Sequence, residues 1–201
     1  MKPAESVAIY WGAFNPPTLA HAQVVEEILK TSSISHVIIS PSWERADKNF
    51  QIPNMNRKSL IETFTQVLSE SWLDVSLDTF FLEWKNNWLT TTAAEEEYFR
   101  NKLWVSPYFV FGTDVAPDMP DWSGNEDKFI ETKLQKIFVN RPGYEFDFEE
   151  NGFDNYMLLD IPDMLAISSS MAREMIQNKQ SVKHILHSNI AQEIQDNNLY
   201  S

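Results

Sequence analysis

The sequence predicts an α/β fold of the Rossmann-like type, a parallel sheet with helices on both faces. Two observations support this prediction. Short apolar runs recur along the chain, and most of them lack an alternating polar residue, which is typical of strands buried on both faces. Segments with helical periodicity separate these runs, so strands and helices alternate. A length of 201 residues fits one domain, residues 1–201, that ends in a helical region.

A strand, a glycine turn and a helix open the chain. Val7 to Trp11 is an apolar run that ends at Gly12, a residue type that lets the phosphates of a ligand approach the backbone. Thr18 is suited to cap the helix that follows, and His21 falls in its first turn. The N–H groups and dipole of a helix start attract anions, and His21 adds a donor that can carry charge.

The later elements continue the alternation. We predict further strands from apolar or alternating runs at His36 to Ser40, Leu73 to Asp78, Tyr108 to Phe111, Lys136 to Val139 and Met157 to Ile161. We predict a helix after Arg57, whose apolar face consists of Leu60, Ile61, Phe64, Val67 and Leu68. A second predicted helix runs from a Thr92–Glu95 capping box to about Lys102, a third lies around Glu126 to Lys133, and a fourth follows Ser168. From Ser181, we predict short helices that end in a polar tail.

One stretch departs from the alternation. Between Tyr144 and Leu159, phenylalanines alternate with acidic residues around Asn151-Gly152, a dipeptide that favours a hairpin turn. We therefore predict a peripheral hairpin or flap. Its phenylalanines are expected to pack locally, although exposed ones would be suited to a subunit contact, so a homo-oligomer is possible.

Composition restricts the class of partner. The chain has 16 basic and 29 acidic residues, a formal net charge of −13, which disfavours broad contact with nucleic acid or an anionic membrane. It has no cysteine, which excludes disulfides and thiolate metal sites. We find neither a signal peptide nor an apolar run of about 18 residues, so we expect a cytoplasmic protein. An anionic small substrate would need locally concentrated cations.

Such cations lie next to predicted strand ends and helix starts. The sequence ISSSMAR has N-cap serines followed by Arg173, which supplies a forked donor in the first turn of a second helix. Lys48 and Arg57 follow the carboxyl end of the second strand, where open parallel sheets bind ligands. Asp114 follows the fourth strand, at the same edge of the predicted sheet. Two helix starts could thus bind one polyphosphate.

Three motifs carry a resemblance to a known family. The string GAFNPPTLAH, ending at His21, resembles the G-x-F-[ND]-P-x-[HT]-x-G-H signature of the adenylyl- and cytidylyltransferase superfamily, with Ala20 in place of its last glycine. The string ISSSMAR resembles the family's I-S-S-[ST]-x-x-R. Gly112-Thr113-Asp114 with Trp122 resembles the G-x-D and downstream tryptophan of nicotinate and nicotinamide mononucleotide adenylyltransferases. The resemblance covers Val7 to about Glu193.

The resemblance implies an activity and a set of site residues. The reaction would join ATP, with Mg²⁺, to a pyridine mononucleotide, giving a dinucleotide and pyrophosphate. By resemblance, the catalytic residues are His21, Thr18 and Arg173. The implied ATP-binding residues are Gly12, Ala13, Phe14, His21, Gly112, Asp114, Ile167, Ser168, Ser169 and Arg173. The implied mononucleotide-binding residues are Asn15, Lys48, Trp88, Thr91 and Trp122.

Two alternatives remain open at this point. Thr18 is the variant typical of phosphopantetheine adenylyltransferases, and Ala20 with the altered loop before Arg57 suggests a nucleotide-binding sensor without turnover. Trp88 and Thr91 resemble a W-x-x-T element of the nicotinamide-using members, and the S-Y-T element of the bacterial nicotinate enzymes is absent. The sequence therefore favours nicotinamide over nicotinate mononucleotide slightly.

Overall fold

A computed structural model describes residues 6–31, 33–42, 51–83, 92–121, 132–141, 143–144 and 146–201. The strands in these ranges are β1 Ser6–Gly12, β2 Ile34–Pro41, β3 Val75–Leu77, β4 Tyr108–Gly112, β5 Lys136–Val139 and β6 Tyr156–Leu159. They form one parallel sheet in the order β3-β2-β1-β4-β5-β6. The order reverses between β1 and β4, which is where sheets of this kind bind ligands.

Helices cover both faces of the sheet, as predicted. They are α1 Leu19–Lys30, α2 Asn54–Glu70, α3 Phe80–Glu83, α4 Thr92–Leu103, α5 Ser169–Gln177 and α6 Ser188–Asp196, with a 3-10 helix at Thr113–Asp121. Strand β1 buries Ala8 and Tyr10 in one core and Val7 and Ile9 in the other. Alternate side chains thus enter opposite cores, which explains the apolar run without polar alternation.

The predicted hairpin between Tyr144 and Leu159 is wrong. The described residues from 146 to 155 form turns and irregular backbone, and β6 pairs with β5 in parallel. Phe148 and Phe153 are buried, with ring centroids 4.6 and 5.6 Å from that of Phe138. The expected local packing of the phenylalanines is therefore confirmed. Their burial against β5 takes the place of pairing between two hairpin arms.

Other predicted boundaries differ or remain untested. Helix α4 includes Thr92 as a helical residue, so Thr92 is not the N-cap that we predicted. Most of the predicted helix from Glu126 to Lys133 lies outside the described residues. The predicted polar tail is wrong, because Leu199 and Tyr200 are buried beneath the loop that follows β1. Among the helices described, none combines the length and the apolar character needed to cross a membrane.

Candidate functional site

A cleft of about 180 Å³ lies at the carboxyl ends of β1 and β4. It contains five of the residues that the sequence assigned to the ATP site, and their positions follow from the sheet order. Those five residues are Gly12, Ala13, His21, Gly112 and Asp114. The strand order brings together two motifs that lie about a hundred residues apart in the chain. The cleft is therefore the candidate nucleotide site.

The glycines of this cleft are required by their neighbours. A Cβ at Gly112 would lie 2.1 Å from Asp114 Oδ1 and 2.7 Å from Arg141 Nε, so any larger residue would displace this acidic side chain and its partner. A Cβ at Gly12 would lie 3.2 Å from the Phe14 ring, which is closer than an ordinary van der Waals contact but less severe than the contact at Gly112. Gly112 thus creates the space in which Asp114 and Arg141 meet.

Arg141 is a site residue that sequence reasoning missed. Its Nε lies 3.1 Å from Asp114 Oδ1, and its main-chain N–H donates to Thr113 Oγ1 at 2.9 Å. Its position directly after β5 could have indicated a site residue, because the carboxyl ends of parallel strands lie at the same edge of a sheet. Arg141 fixes the orientation of the Asp114 carboxylate and adds a positive charge to the cleft.

His21 is held in one tautomer by its own helix start. The Thr18 N–H donates to His21 Nδ1 at 3.0 Å, and Thr18 Oγ1 lies 2.7 Å from the same nitrogen. Because a main-chain N–H can only donate, Nδ1 is an acceptor and the neutral ring carries its proton on Nε2. Burial, followed by the charge of Arg141, lowers the pKa of His21 to about 4. His21 is therefore a neutral donor near pH 7, whereas the sequence indicated a donor that can carry charge.

Thr18 and Phe14 do not line the cleft, and both are buried next to His21. Thr18 is buried, and its hydroxyl faces His21 Nδ1, so its position is that of a residue that orients the imidazole. Phe14 is 1 % exposed, and its ring centroid lies 5.2 Å from those of both Tyr10 and His21. The Phe14 side chain thus belongs to the core beneath the cleft, and only its backbone is close to the cleft wall.

The second motif docks onto the first. Ser169 Oγ donates to the Pro16 carbonyl at 2.8 Å, and Arg173 Nη1 donates to the Asn15 carbonyl at 2.6 Å. Arg173 is the fifth residue of α5, at the beginning of the second turn, whereas the sequence predicted the first turn. Arg173 is five residues beyond the N-cap Ser168, and its side chain reaches the loop after β1. The two helix starts predicted from separate motifs are therefore neighbours.

Ser168 and Ile167 of this motif lie at the start of α5. Ser168 is the N-cap of α5, and its Oγ accepts a hydrogen bond from Met171 N–H at 3.1 Å. Ile167 is half-buried and packs against the core on the α1 side of the sheet. Ser168 is therefore used by the helix, which leaves Ser169 and Arg173 as the side chains that contact the loop.

Two further buried residues support the loop between β1 and α1. Arg57 is fully buried and donates to the carbonyls of Ala13, at 3.4 Å, and Ser42. Tyr200 donates from its hydroxyl to Asn15 Oδ1 at 2.5 Å. The sequence placed Arg57 near the site. It did not indicate a role for Tyr200, because a tyrosine in a polar segment is not typical of any kind of site. The cations needed by an acidic protein are thus concentrated around this loop.

Some of the predicted site lies outside the described residues. Lys48, Trp88, Thr91 and Trp122, which the sequence assigned to the mononucleotide, are among these. Within the described ranges, no group of three or more histidines and acidic residues could hold a metal ion. The mononucleotide side of the site therefore stays a prediction; of its five assigned residues, Asn15 lies within the described ranges.

Known proteins share both the sequence pattern and the fold. Residues 9–175 match the cytidylyltransferase-like family model. A probable nicotinate-nucleotide adenylyltransferase of Bacillus licheniformis is 24 % identical over 96 % of this chain and 97 % of its own. One of a Sulfurovum species is 27 % identical over 84 % of this chain and 83 % of its own.

A solved structure agrees in fold over nearly the whole chain. The nicotinic acid mononucleotide adenylyltransferase of Plasmodium falciparum, complexed with NaAD, superposes with a TM-score of 0.79 at 23 % identity, covering 98 % of this chain and 97 % of the other. This likeness confirms the fold that the strand alternation predicts. The family model, which spans most of the chain, identifies the protein as a member of the cytidylyltransferase-like family.

Proposed function

We propose that this protein transfers the AMP group of ATP to the 5′-phosphate of a pyridine mononucleotide. The observation that carries the proposal is the contact between the two helix starts, in which Arg173 and Ser169 of α5 bind the Asn15-Pro16 backbone in front of α1. Two helix N-termini that meet at one loop provide N–H donors and a cation for one polyphosphate. The relatives from Bacillus licheniformis and Sulfurovum are named as probable nicotinate-nucleotide adenylyltransferases, which supports the same reaction.

The reaction needs no nucleophile from the protein. An oxygen of the mononucleotide 5′-phosphate attacks the α-phosphorus of ATP, a new P–O bond forms, and the bond from the α-phosphorus to the bridging oxygen breaks. Pyrophosphate leaves with that electron pair. The protein's contribution is to position the two phosphates and to stabilise the charge that develops on them. Mg²⁺ would arrive with ATP, coordinated largely by phosphate oxygens and water.

The described residues take separate parts in this reaction. His21 supplies a neutral Nε2–H donor, which stabilises developing negative charge without a proton transfer. Arg173 supplies a permanent positive charge; its Nη1 donates to the Asn15 carbonyl and its Nη2 to Ser170 Oγ. Asp114 retains acceptor sites beyond its contact with Arg141 and would accept the ribose hydroxyls of ATP. Because the reaction consumes ATP, we also propose a cytoplasmic location.

Nicotinate mononucleotide is the acceptor that we propose. The relatives are named for nicotinate nucleotides, whereas the sequence pattern at Trp88 and Thr91 slightly favoured nicotinamide. Both residues lie outside the described ranges, so the preference rests on those names. A preference of about tenfold for either acceptor, equivalent to roughly 1.4 kcal/mol, would decide between them.

The test is a turnover screen of the intact protein with ATP, Mg²⁺ and one acceptor at a time. The acceptors are nicotinate mononucleotide, nicotinamide mononucleotide and phosphopantetheine, and both the dinucleotide product and pyrophosphate are quantified. We expect equal amounts of dinucleotide and pyrophosphate with the nicotinate acceptor. Turnover with phosphopantetheine alone would contradict the proposal, and ATP binding without turnover for any acceptor would favour a sensor.

A further inference from the structure

The last residues of the chain fold back under the loop between β1 and α1. After α6 ends at Asp196, Asn198 and Tyr200 take positive φ values of 50° and 64°, which turn the chain. Leu199 N–H donates to the Ile194 carbonyl at 2.9 Å, and the side chains of Leu199 and Tyr200 are 7 % and 4 % exposed. The end of the chain is thus part of the core on the side where the site lies.

Tyr200 binds a side chain of the candidate site. Its hydroxyl lies 2.5 Å from Asn15 Oδ1, in a buried hydrogen bond that joins residues 185 positions apart. Burial raises the pKa of Tyr200, and the charges of Arg173 and Arg57 oppose this only in part. The phenol therefore stays protonated and donates. A phenol donor turns the carboxamide oxygen of Asn15 toward itself and so fixes which end of that group carries the amide hydrogens.

Asn15 is consequently held at two points. Arg173 Nη1 binds its main-chain carbonyl at 2.6 Å, and Tyr200 binds its side chain. Asn15 is only 2 % exposed, so a rotation of its carboxamide would leave buried polar atoms without suitable partners. The Arg173 contact fixes the path of the loop, whereas the Tyr200 contact fixes the direction of one side chain.

We propose that Tyr200 is a positioning residue for the acceptor mononucleotide. By fixing the Asn15 carboxamide, the Tyr200 hydroxyl sets the direction of the amide donors that bind the acceptor. This inference rests on the proposed function and on the family resemblance, which assigns Asn15 to the mononucleotide. In this proposal Tyr200 acts through its hydrogen bond to Asn15 and not by contact with the substrate. Its effect is therefore selective for the acceptor and not for ATP.

The first test replaces Tyr200 with phenylalanine, which keeps the ring and removes the hydroxyl. Parent turnover is measured first, because its absence would refute the proposed function and not the positioning role alone. We expect Tyr200→Phe to raise the acceptor KM about 3- to 12-fold, the effect of one neutral hydrogen bond, with the ATP KM and kcat within about twofold. Tyr144→Phe is the matched control, since Tyr144 is 54 % exposed, and should leave all three constants unchanged.

A double-mutant cycle then separates positioning from general stability. If Tyr200 acts through Asn15, Tyr200→Phe should add less than twofold to the acceptor KM in an Asn15→Ala background. Additive effects, or equal increases of both KM values, would overturn the proposal. Should Tyr200→Phe fail to fold, Asn15→Asp keeps an acceptor oxygen for Tyr200 and removes the amide donors. It should raise the acceptor KM more than the ATP KM, and an unchanged acceptor KM would refute the inference.

Discussion

The two helix starts of the candidate site differ in what their polar side chains do. At α1, Thr18 and His21 bind each other, so the imidazole is fixed, half-buried and neutral. At α5, Ser168 alone caps the helix, and Ser169 and Arg173 reach across to the loop in front of α1. The polar side chains at the start of α1 therefore contact residues of the same helix start. Those of α5 contact residues about 150 positions away in the chain.

Because of this difference, we expect the two helix starts to contribute to different steps of the reaction. A fixed neutral donor stabilises charge that develops during the reaction and contributes little to binding the ground state. A guanidinium carries its charge in every state and so contributes to ATP binding as well. We therefore expect variants at α1 to affect mainly kcat and variants at α5 to affect mainly the KM for ATP.

The largest effect is expected at His21. His21→Ala removes one donor to the transition state and should lower kcat about 10²- to 10³-fold, with little change in the ATP KM. Steady-state kinetics at saturating ATP measure this directly. A kcat within about threefold of the parent would exclude the role assigned to His21. Circular dichroism should show that the variant keeps its fold, since His21 is only half-buried.

A smaller effect, of a different kind, is expected at Arg173. Arg173→Ala removes a charge and the bond to the Asn15 carbonyl, so we expect kcat/KM for ATP to fall roughly 10- to 150-fold, the range for hydrogen bonds to charged groups. Arg173→Lys keeps the charge without the fork and should lie between this variant and the parent. Unchanged ATP kinetics in Arg173→Ala would remove the distinction between the two helix starts.

Thr18 tests whether the hydroxyl orients the imidazole. Thr18→Val removes the contact between Oγ1 and Nδ1 but retains the main-chain N–H bond to the ring. We expect kcat to fall only about 2- to 12-fold, as for one neutral hydrogen bond. Thr31→Val is a suitable control, because Thr31 Oγ1 bonds the Ile28 carbonyl at the opposite end of α1. A loss as large as that of His21→Ala would instead indicate that Thr18 contacts the substrate.

The smallest effect is expected at Ala20, the departure from the family signature. Ala20 is 6 % exposed within α1, so its methyl packs in the protein interior. Ala20→Gly should leave turnover within about twofold and lower the unfolding free energy by roughly 0.5 to 1 kcal/mol, the usual cost of glycine in a helix. Ala22→Gly is the matched control in the same helix. An inactive parent that Ala20→Gly activates would favour the sensor alternative.

Sequence reasoning succeeded where a local pattern determines the structure. The apolar runs predicted the strands, Thr18 is the residue before α1, and both motifs lie at helix starts as expected. The hairpin failed because Asn151-Gly152 also suits a turn within an irregular segment, where Phe148 and Phe153 pack on the sheet. Local turn chemistry alone cannot indicate which face of the sheet will bury neighbouring aromatic rings.

The parts of the site that were missed depend on long-range contacts. Arg141 meets Asp114 only because β5 lies beside β4, and Tyr200 meets Asn15 only because the chain turns back after α6. The neutral state of His21 has the same origin, since burial and Arg141 together lower its pKa. Residue types and spacing predict which side chains carry chemistry. They do not predict the charge that those side chains hold once the protein is folded.

The charge state of His21 tests the central distinction between the two helix starts most directly. A ¹⁵N NMR pH titration of the ligand-free protein should show a pKa near 4, with the proton on Nε2 at neutral pH, because Nδ1 accepts from the Thr18 N–H. His21 would then gain a proton only as the pH falls through about 4, so kcat/KM should show no limb from His21 between pH 6 and 8. A pKa at or above the ordinary value of about 6.5, or a proton on Nδ1, would contradict the account.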